Sequence, residues 1–264
     1  MEPYYKNKNC KLYQCDNLEL LKSIKDNYID LIYCDILYGT GIKFEDYQDL
    51  KPIRQDIEEH YIPRFSEMKR VLKGTGSIYL QMDYKISHWI RIILDDIFGY
   101  NNLRNEIIWC YSMAGNAKRY FPKKHDNIFW YSKSDNWCFN VESVRVPYKD
   151  GKPHGQGKAN WNDSFDLEAQ AERGKVVEDW WSDISPVGRI KTELNGYSTQ
   201  KPKKLLNRII SASSNVGDIV ADFYMGSGTT GEVSVELNRR FIGCDIGDNA
   251  CQIAKERLEK FVTP

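Results

Sequence analysis

A glycine-rich segment at 226–231 constrains the fold more than any other feature of this 264-residue chain. Its sequence is G-S-G-T-T-G, and it lies between a strand-like run at 218–222 and a segment of helical composition. Asp245 ends the next strand-like run, about twenty residues further on. Glycines let a backbone approach a ligand, and a carboxylate after the second strand can bind ribose hydroxyls. The pattern predicts a βαβ unit that holds a nucleotide-type cofactor, with a purely structural turn as the alternative.

The rest of the chain repeats this alternation of strand and helix. Apolar residues follow helical spacing at 52–72, where the interior Pro63 is expected to kink or split the helix, and again at 86–98 and 202–211. Short apolar runs predict further strands at 29–34, 77–82, 106–111 and 127–131. The alternation predicts an α/β fold with an open, mostly parallel sheet.

A second candidate site follows the strand at 29–34. Asp35, Ile36, Leu37 and Tyr38 stand at its carboxyl end, which is the edge where ligands bind in open α/β sheets. A carboxylate and an aromatic ring three residues apart on a turn can face one planar substrate. Taken alone, such a pair is as consistent with a structural role.

The section at 144–196 differs from the rest, because it is polar, rich in Gly, Lys, Asp, Glu and Trp, and weakly periodic. A stretch of this length inside an α/β fold predicts a functional loop or a small insert, and a solvated connection is the alternative.

Composition restricts the partners of the chain. Lys and Arg number 37, as do Asp and Glu, so DNA or another polyanion would be bound by local basic patches rather than by bulk charge. Neither a secretory signal nor an apolar run of membrane-spanning length is apparent, and the seven cysteines show no C-x-x-C spacing. These features predict a soluble, cytoplasmic protein with reduced thiols and without a metal site.

Four motifs together resemble the β class of DNA amino-methyltransferases, in which the catalytic motif precedes the cofactor motif. The family signature D/N/S-P-P-Y/F/W is matched at 35–38, and its D-P-F-x-G-S-G-T-T loop at 222–230. T-Q-K-P is matched at 199–202 and G-D-x-x-x-x-L at 15–21, so only the polar section is left uncovered. That section is similar to the insert of Type II modification methylases.

The resemblance implies a single Rossmann-like methyltransferase domain. Its catalytic half would be 1–143, its target-recognition insert 144–196, and its cofactor half 197–264. It implies transfer of a methyl group from S-adenosylmethionine to the amino nitrogen of a base flipped out of double-stranded DNA. Adenine N6 is favoured over cytosine N4, since Asp rather than Ser stands at position 35. A homodimer and a cognate restriction endonuclease are further possible partners.

The same resemblance implies a role for individual residues. Asp35, the carbonyl groups of Ile36 or Leu37, and the ring of Tyr38 would hold the target base, with Phe44 or Tyr47 on its other side. The residues implied in cofactor binding are Asp16, Thr199, Lys201, Asp222, Phe223, Gly226, Ser227, Gly228, Thr229 and Asp245. Among them, Asp245 would bind the ribose hydroxyls, Asp16 the adenine amino group, Phe223 the adenine ring, and Thr199 with Lys201 the methionine carboxylate.

Two basic clusters are candidates for DNA contact. One consists of Lys118, Arg119, Lys123 and Lys124, interleaved with Tyr120 and Phe121. The other lies in the insert and consists of Arg145, Lys149, Lys152, His154 and Lys158. Such clusters fit phosphate binding, and a solvated surface is the alternative.

The chain departs from the family at three prolines. Ile36 and Leu37 replace both prolines of the catalytic signature, and Phe223 replaces the proline of the cofactor loop. Proline fixes the backbone φ angle, so the departure leaves open a weakened enzyme or a non-catalytic relative that binds DNA or cofactor. A nicotinamide-dependent oxidoreductase is the alternative from another class, although it gives no role to 35–38 or 199–202.

Overall fold

The computed structural model describes residues 1–44, 47–111, 115, 117–149, 151 and 167–261. The strands are β1 Tyr5–Lys6, β2 Cys10–Gln14, β3 Ile29–Asp35, β4 Leu72–Asp83, β5 Leu103–Cys110, β6 His125–Ser132, β7 Arg145–Val146, β8 Lys175–Val176, β9 Trp180–Trp181, β10 Ile219–Asp222 and β11 Arg240–Asp245. The helices are α1 Asn17–Ser23, α2 Arg54–Val71, α3 Tyr84–Phe98, α4 Leu167–Arg173, α5 Lys203–Ser213, α6 Thr229–Glu236 and α7 Asp248–Glu259.

Nine of these strands form one sheet in the order β1-β2-β11-β10-β3-β4-β6-β5-β9. The five neighbours from β2 to β4 are parallel, whereas β6 runs antiparallel to both β4 and β5. The predicted α/β fold with a mostly parallel sheet is confirmed. The antiparallel β6 places its first residues at the same sheet edge as the last residues of β3 and β4, because Asp83 pairs with Asp126.

Helices cover both faces of this sheet. Successive residues of β3 point to opposite faces, so Ile32 and Cys34 pack in the cluster formed by α1, α2 and α3. Leu31 and Tyr33 pack on the other face, against α5 and α6. All these side chains are buried, which accounts for the continuous apolar run that predicted the strand.

Pro63 does not split the helix, because α2 runs without interruption from Arg54 to Val71. Tyr61 and Phe65, on either side of the proline, are fully buried and stack with ring centroids 5.0 Å apart. Burial of this face stabilises the helix at the turn where proline cannot donate a backbone hydrogen bond.

The described residues of the section at 144–196 include three short strands. β7 and β8 form a separate antiparallel pair, while β9 adds to the main sheet beside β5. Lys152, His154 and Lys158 lie outside the described residues. Across the described part of the chain, no helix combines the length and apolar character that a membrane span requires.

Candidate active site

The catalytic-type segment 35–38 and the glycine segment 226–231 open into one cleft of about 460 Å³. Parallel pairing of β3 with β10 brings the carboxyl ends of both strands to the same edge of the sheet. The predicted site residues that line the cleft are Asp16, Asp35, Ile36, Leu37, Tyr38, Thr199, Lys201, Asp222, Phe223, Gly226, Ser227, Thr229 and Asp245. The structure therefore brings together segments that are nearly two hundred positions apart.

The glycines of the cofactor-type loop are required by its backbone and its packing. Gly226 and Gly228 have φ angles of +50° and +75°, in the left-handed region that glycine favours. Gly228 does not line the cleft; a Cβ there would lie 2.7 Å from the Cβ of Ala254 in α7. A Cβ at Gly231 would lie 2.7 Å from the ring of Phe241, so this glycine lets α6 approach β11.

Asp245 fixes the shape of this loop. One of its carboxylate oxygens accepts a hydrogen bond from the Gly226 N–H at 2.9 Å, and the other accepts one from the Gly247 N–H at 2.9 Å. A carboxylate is thus held beside the left-handed turn, at the position from which hydroxyl groups of a ribose can be bound.

Asp222 lies at the end of β10 and is only 2% exposed. Its carboxyl group accepts hydrogen bonds from the Thr230 hydroxyl at 2.6 Å and from the Tyr224 N–H at 3.0 Å. Burial raises the pKa of Asp222 to about 7, against the lowering effect of these bonds. The group thus titrates close to neutral pH, and its contacts hold the loop between β10 and α6.

Asp35, at the end of β3, has a partner on each carboxylate oxygen. Oδ1 accepts a hydrogen bond from the Tyr38 hydroxyl at 2.8 Å, and Oδ2 is paired with the ammonium group of Lys201. Lys201 also lies over the Tyr38 ring, 5.3 Å from its centroid. Burial raises the pKa of Asp35. The ammonium group of Lys201 and the hydroxyl of Tyr38 lower this pKa, and the negative charge of Asp126 raises it. The ion pair with Lys201 favours the carboxylate form of Asp35, which burial disfavours.

The resemblance implied that Lys201 and Thr199 face a methionine carboxylate. Both residues line the cleft, where the ammonium group of Lys201 is paired with the Asp35 carboxylate and donates to the Thr199 carbonyl at 3.4 Å. The basic charge of the T-Q-K-P motif is therefore placed at Asp35.

The backbone of the two residues that replace proline is held by tertiary contacts. The Ile36 N–H donates to the Gln81 carbonyl at 3.1 Å, and the Leu37 carbonyl accepts from the Tyr61 hydroxyl at 2.9 Å. Ile36 is 2% exposed, so its side chain is also fixed in the core. Hydrogen bonds and burial restrict this segment, which in the family signature is restricted by proline rings.

The turn that follows is held by Asp49, which is 3% exposed. Its carboxylate accepts from the Gly39 N–H at 3.1 Å and from the Thr40 N–H at 2.7 Å. Phe44 and Tyr47, on the same excursion between β3 and α2, stack on one another at 4.8 Å and both line the cleft. An aromatic pair thus faces the space beside Tyr38.

Sequence reasoning missed a buried acid next to the catalytic segment. Asp126, at the start of β6, is 4% exposed and accepts hydrogen bonds from Tyr38, Gln81 and Tyr111. The available signal was a carboxylate at the start of a strand otherwise rich in apolar residues. Its pairing with Tyr38 depends on the antiparallel register of β6 and β4, which no local pattern encodes.

Asp16 and Phe223 lie on the cofactor side of the cleft. Asp16 caps α1 through the Leu18 N–H at 2.8 Å and is paired with Arg64 at 2.7 Å. Phe223 is 1% exposed, and its carbonyl accepts from the Asn17 side chain at 3.0 Å. Arg64 is a further residue of this wall that the motifs did not indicate.

The two basic clusters differ in their surroundings. Lys118, Arg119 and Lys123 are exposed on the segment between β5 and β6, near Tyr120 and Phe121, which are 67% and 93% exposed. Lys123 donates to the Tyr84 hydroxyl at 2.8 Å, and Lys124 is half-buried.

In the insert, Lys149 is exposed, whereas Arg145 is already engaged. Its guanidinium bonds the Glu142 carboxylate at 2.8 Å and the Gly174 carbonyl at 2.9 Å. Arg145 therefore braces the β7–β8 pair.

Comparisons with known proteins agree on one family. The profile of the N6/N4 DNA methylase family matches residues 29–256. The chain is 33% identical over 248 residues to the Type II methyltransferase M.HpaI of Haemophilus parainfluenzae, covering 93% of this chain and 73% of that protein. It is 31% identical over 247 residues to the DNA adenine methyltransferase YhdJ of Escherichia coli, covering 92% and 81%.

Solved structures share the fold at lower identity. The cytosine-N4-specific PvuII DNA methyltransferase superposes with a TM-score of 0.73 at 18% identity, covering 99% of this chain and 89% of that one. The M1.HpyAVI complex with S-adenosylmethionine superposes with a TM-score of 0.63 at 21% identity, covering 94% and 98%.

Proposed function

The chain belongs to the N6/N4 DNA methylase family, and from that premise we propose that it methylates adenine N6 at a specific sequence in double-stranded DNA. The broader activity, S-adenosylmethionine-dependent methylation of DNA, follows from family membership. The observation that carries the proposal is the Asp35 carboxylate, which shares one cleft with Tyr38, the glycine loop and Asp245.

The cleft has the chemistry that S-adenosylmethionine requires. The left-handed Gly226 lets a ligand approach the backbone, Asp245 presents a carboxylate for ribose hydroxyls, and Phe223 contributes to the wall of the cleft. When bound, this cofactor supplies a methyl group that is already activated for transfer. The protein therefore has to position the acceptor and manage its protons.

The acceptor nitrogen of adenine is a poor nucleophile, because its lone pair is delocalised into the ring. In our proposal the Asp35 carboxylate accepts one N–H and the Ile36 carbonyl accepts the other. We choose Ile36 over Leu37 because the Leu37 carbonyl already accepts from Tyr61. Two acceptors favour a tetrahedral nitrogen whose lone pair points away from the ring. Asp35 then takes the proton that the nitrogen loses.

Access of the base to Asp35 requires a change at Lys201. Tyr38 occupies Oδ1 and Lys201 occupies Oδ2, so an incoming amino group must share or replace the lysine contact. The Tyr38 ring supplies a stacking face for the flipped base, and the Phe44–Tyr47 pair supplies the opposite wall.

Duplex DNA would be held by the basic residues on the segment between β5 and β6. This segment ends at the sheet edge where the cleft opens, and Lys118, Arg119 and Lys123 on it are exposed. Lys149 in the insert is a further phosphate contact in this proposal. A cytoplasmic homodimer that acts with a cognate restriction endonuclease is the biological setting we propose for a Type II relative.

Adenine is preferred over cytosine for two reasons. Position 35 is an aspartate, and the Escherichia coli relative at 31% identity is named as an adenine methyltransferase. The cytosine-N4-specific structure supports the fold alone, since its identity is 18%. Cytosine N4 is the second candidate.

One experiment tests the reaction and its target. The protein is incubated with mixed-sequence duplex DNA and S-adenosylmethionine, and the digested nucleosides are analysed by mass spectrometry. N6-methyladenine with wild type and its loss with Asp35→Ala support the proposal. N4-methylcytosine would reassign the target, and no methylated base from a cofactor-binding wild type would establish a non-catalytic relative.

A further inference from the structure

Asp126 is a buried carboxylate with three donors and no cation among its hydrogen-bond partners in the described part of the chain. It accepts from the Gln81 amide at 2.7 Å, from the Tyr38 hydroxyl at 2.9 Å and from the Tyr111 hydroxyl at 3.0 Å. The Gln81 amide is itself oriented, because its oxygen accepts from the Tyr33 hydroxyl at 2.7 Å. A buried acid with this many neutral donors is held as an acceptor in a fixed geometry.

The Tyr38 hydroxyl lies between two carboxylates. It is 2.8 Å from Asp35 Oδ1 and 2.9 Å from Asp126 Oδ2. A phenol has one proton to donate, so the two acids compete for it and the oxygen of Tyr38 is held from both sides. The position of the Tyr38 ring is therefore fixed at its far end as well as through the backbone.

This anchoring matters because the chain lacks the two prolines of its family signature. Ile36 and Leu37 can adopt an extended backbone, but neither residue enforces it. The segment between Asp35 and Tyr38 is instead fixed at both ends, by β3 before it and by the hydroxyl of Tyr38 after it.

We propose that Asp126 is a positioning residue of the methyl-transfer site, which anchors the hydroxyl of Tyr38 beside Asp35. This inference rests on the proposed function, since it concerns the same cleft. It assigns to a residue outside all four motifs part of the rigidity that proline rings give the family signature, beside the contacts of Gln81 and Tyr61 with the same segment.

The second part of the proposal is electrostatic. Asp126 raises the pKa of Asp35 through its negative charge, whereas the Tyr38 hydroxyl bond lowers it. The other titratable groups that face these acids are Tyr33 on β3, Tyr111 after β5, Lys201 before α5 and Asp222 on β10, whereas the charge of Asp83 on β4 acts on Tyr111. Replacing Asp126 and replacing Tyr38 should thus change the ionisation of Asp35 in opposite directions.

The test compares Asp126→Asn and Tyr38→Phe in the full chain. We expect each to lower kcat/KM for methylation of duplex DNA by roughly 10-fold to 100-fold, the effect of one hydrogen bond to a charged group. The double variant should be no less active than the less active single variant, because Asp126→Asn weakens the same hydrogen bond that Tyr38→Phe removes.

The pH dependence separates positioning from a general loss of structure. The acid limb of the kcat/KM profile reports the ionisation of Asp35 in the free enzyme. Asp126→Asn removes a negative charge, which lowers the pKa of Asp35 and moves the limb to lower pH. Tyr38→Phe removes a hydrogen bond to the ionised form, which raises the pKa and moves the limb to higher pH.

Asp83→Asn is the matched control. Asp83 pairs with Asp126 across β4 and β6, and its side chain caps α3 through the Lys85 N–H at 2.8 Å. Asparagine caps helices as well as aspartate does, so this variant should keep wild-type kinetics.

The outcomes also distinguish the two proposals. A wild type without methylation on any DNA overturns the proposed function. An active wild type, with Asp126→Asn matching the Asp83→Asn control in rate and in pH profile, overturns the role of Asp126 alone. If Asp126→Asn does not fold, Tyr38→Phe still decides, since an unchanged rate and profile there contradict the anchoring role of the Tyr38 hydroxyl.

Discussion

The ammonium group of Lys201 is paired with the carboxylate of Asp35, 166 positions away along the chain, and lies 5.3 Å from the centroid of the Tyr38 ring. A cation with N–H donors thus stands where we propose that the amino group of the target base binds. This contact lowers the pKa of Asp35, against the larger raising effect of burial, and in our proposal it yields when the base enters.

The first prediction concerns this ion pair. Lys201→Gln removes the positive charge that lowers the pKa of Asp35, so the acid limb of the kcat/KM profile should move to higher pH. Methylation rates measured from mildly acidic to mildly alkaline pH check it. Lys201→Arg keeps the charge and is the control, and an unchanged profile in Lys201→Gln would show that the pair does not set the ionisation of Asp35.

The second prediction concerns Asp35 itself. Asp35→Ala should reduce kcat by roughly 100-fold or more, the usual contribution of a positioned acid–base group. Binding of S-adenosylmethionine, measured by titration calorimetry, should persist because the cofactor residues remain. Loss of cofactor binding along with activity would instead assign Asp35 a structural role.

The third prediction concerns the glycine loop. Gly228→Ala places a methyl group 2.7 Å from the Cβ of Ala254 and forces a non-glycine residue to a φ of +75°, so we expect a loss of about 2 kcal/mol in stability. Chemical denaturation measures the loss. Ala254→Gly added to it should recover only part of the loss, because the Cα of residue 254 also lies 2.9 Å from the added Cβ. Gly188→Ala is the control, because a Cβ there meets nothing within 4 Å.

The fourth prediction concerns Asp222, whose pKa is raised by burial to about 7. Because the folded protein favours the protonated form, this group's contribution to stability is present below its ordinary pKa of 3.8 and is lost as pH rises through about 7. Asp222→Asn removes that dependence. The difference in Tm between variant and wild type should therefore change in favour of the variant as the pH is raised from mildly acidic to mildly alkaline, and a constant difference would contradict the raised pKa.

The fifth prediction concerns the exposed cations between β5 and β6. Replacing Lys118 and Arg119 by alanine should reduce the slope of log affinity against log salt by about 0.9 for each phosphate that these side chains neutralise in the wild type. Fluorescence anisotropy with a labelled duplex measures the slope. Lys8→Ala, an exposed charge at the amino-terminal end of β2, should leave it unchanged.

Local sequence was sufficient for the fold class. The buried runs that became β3, β10 and β11, and the glycines between β10 and α6, carry their signals within a few residues. Such patterns reflect strand burial and backbone conformation, which depend on neighbours along the chain. The alternative that Pro63 splits the helix was wrong for the converse reason, because packing of Tyr61 and Phe65 stabilises the helix around the proline.

The sequence by itself determined that this chain forms an α/β domain with a cofactor-type loop, and its motifs identified Asp35 and Tyr38 as candidate site residues. Only the tertiary structure decided what those groups touch. Lys201 reaches Asp35, and Asp126 reaches Tyr38, through a strand order and an antiparallel register that local spacing does not specify. The physical reason is that charge and hydrogen bonding act over a few ångströms in space, whatever the separation of the residues along the chain.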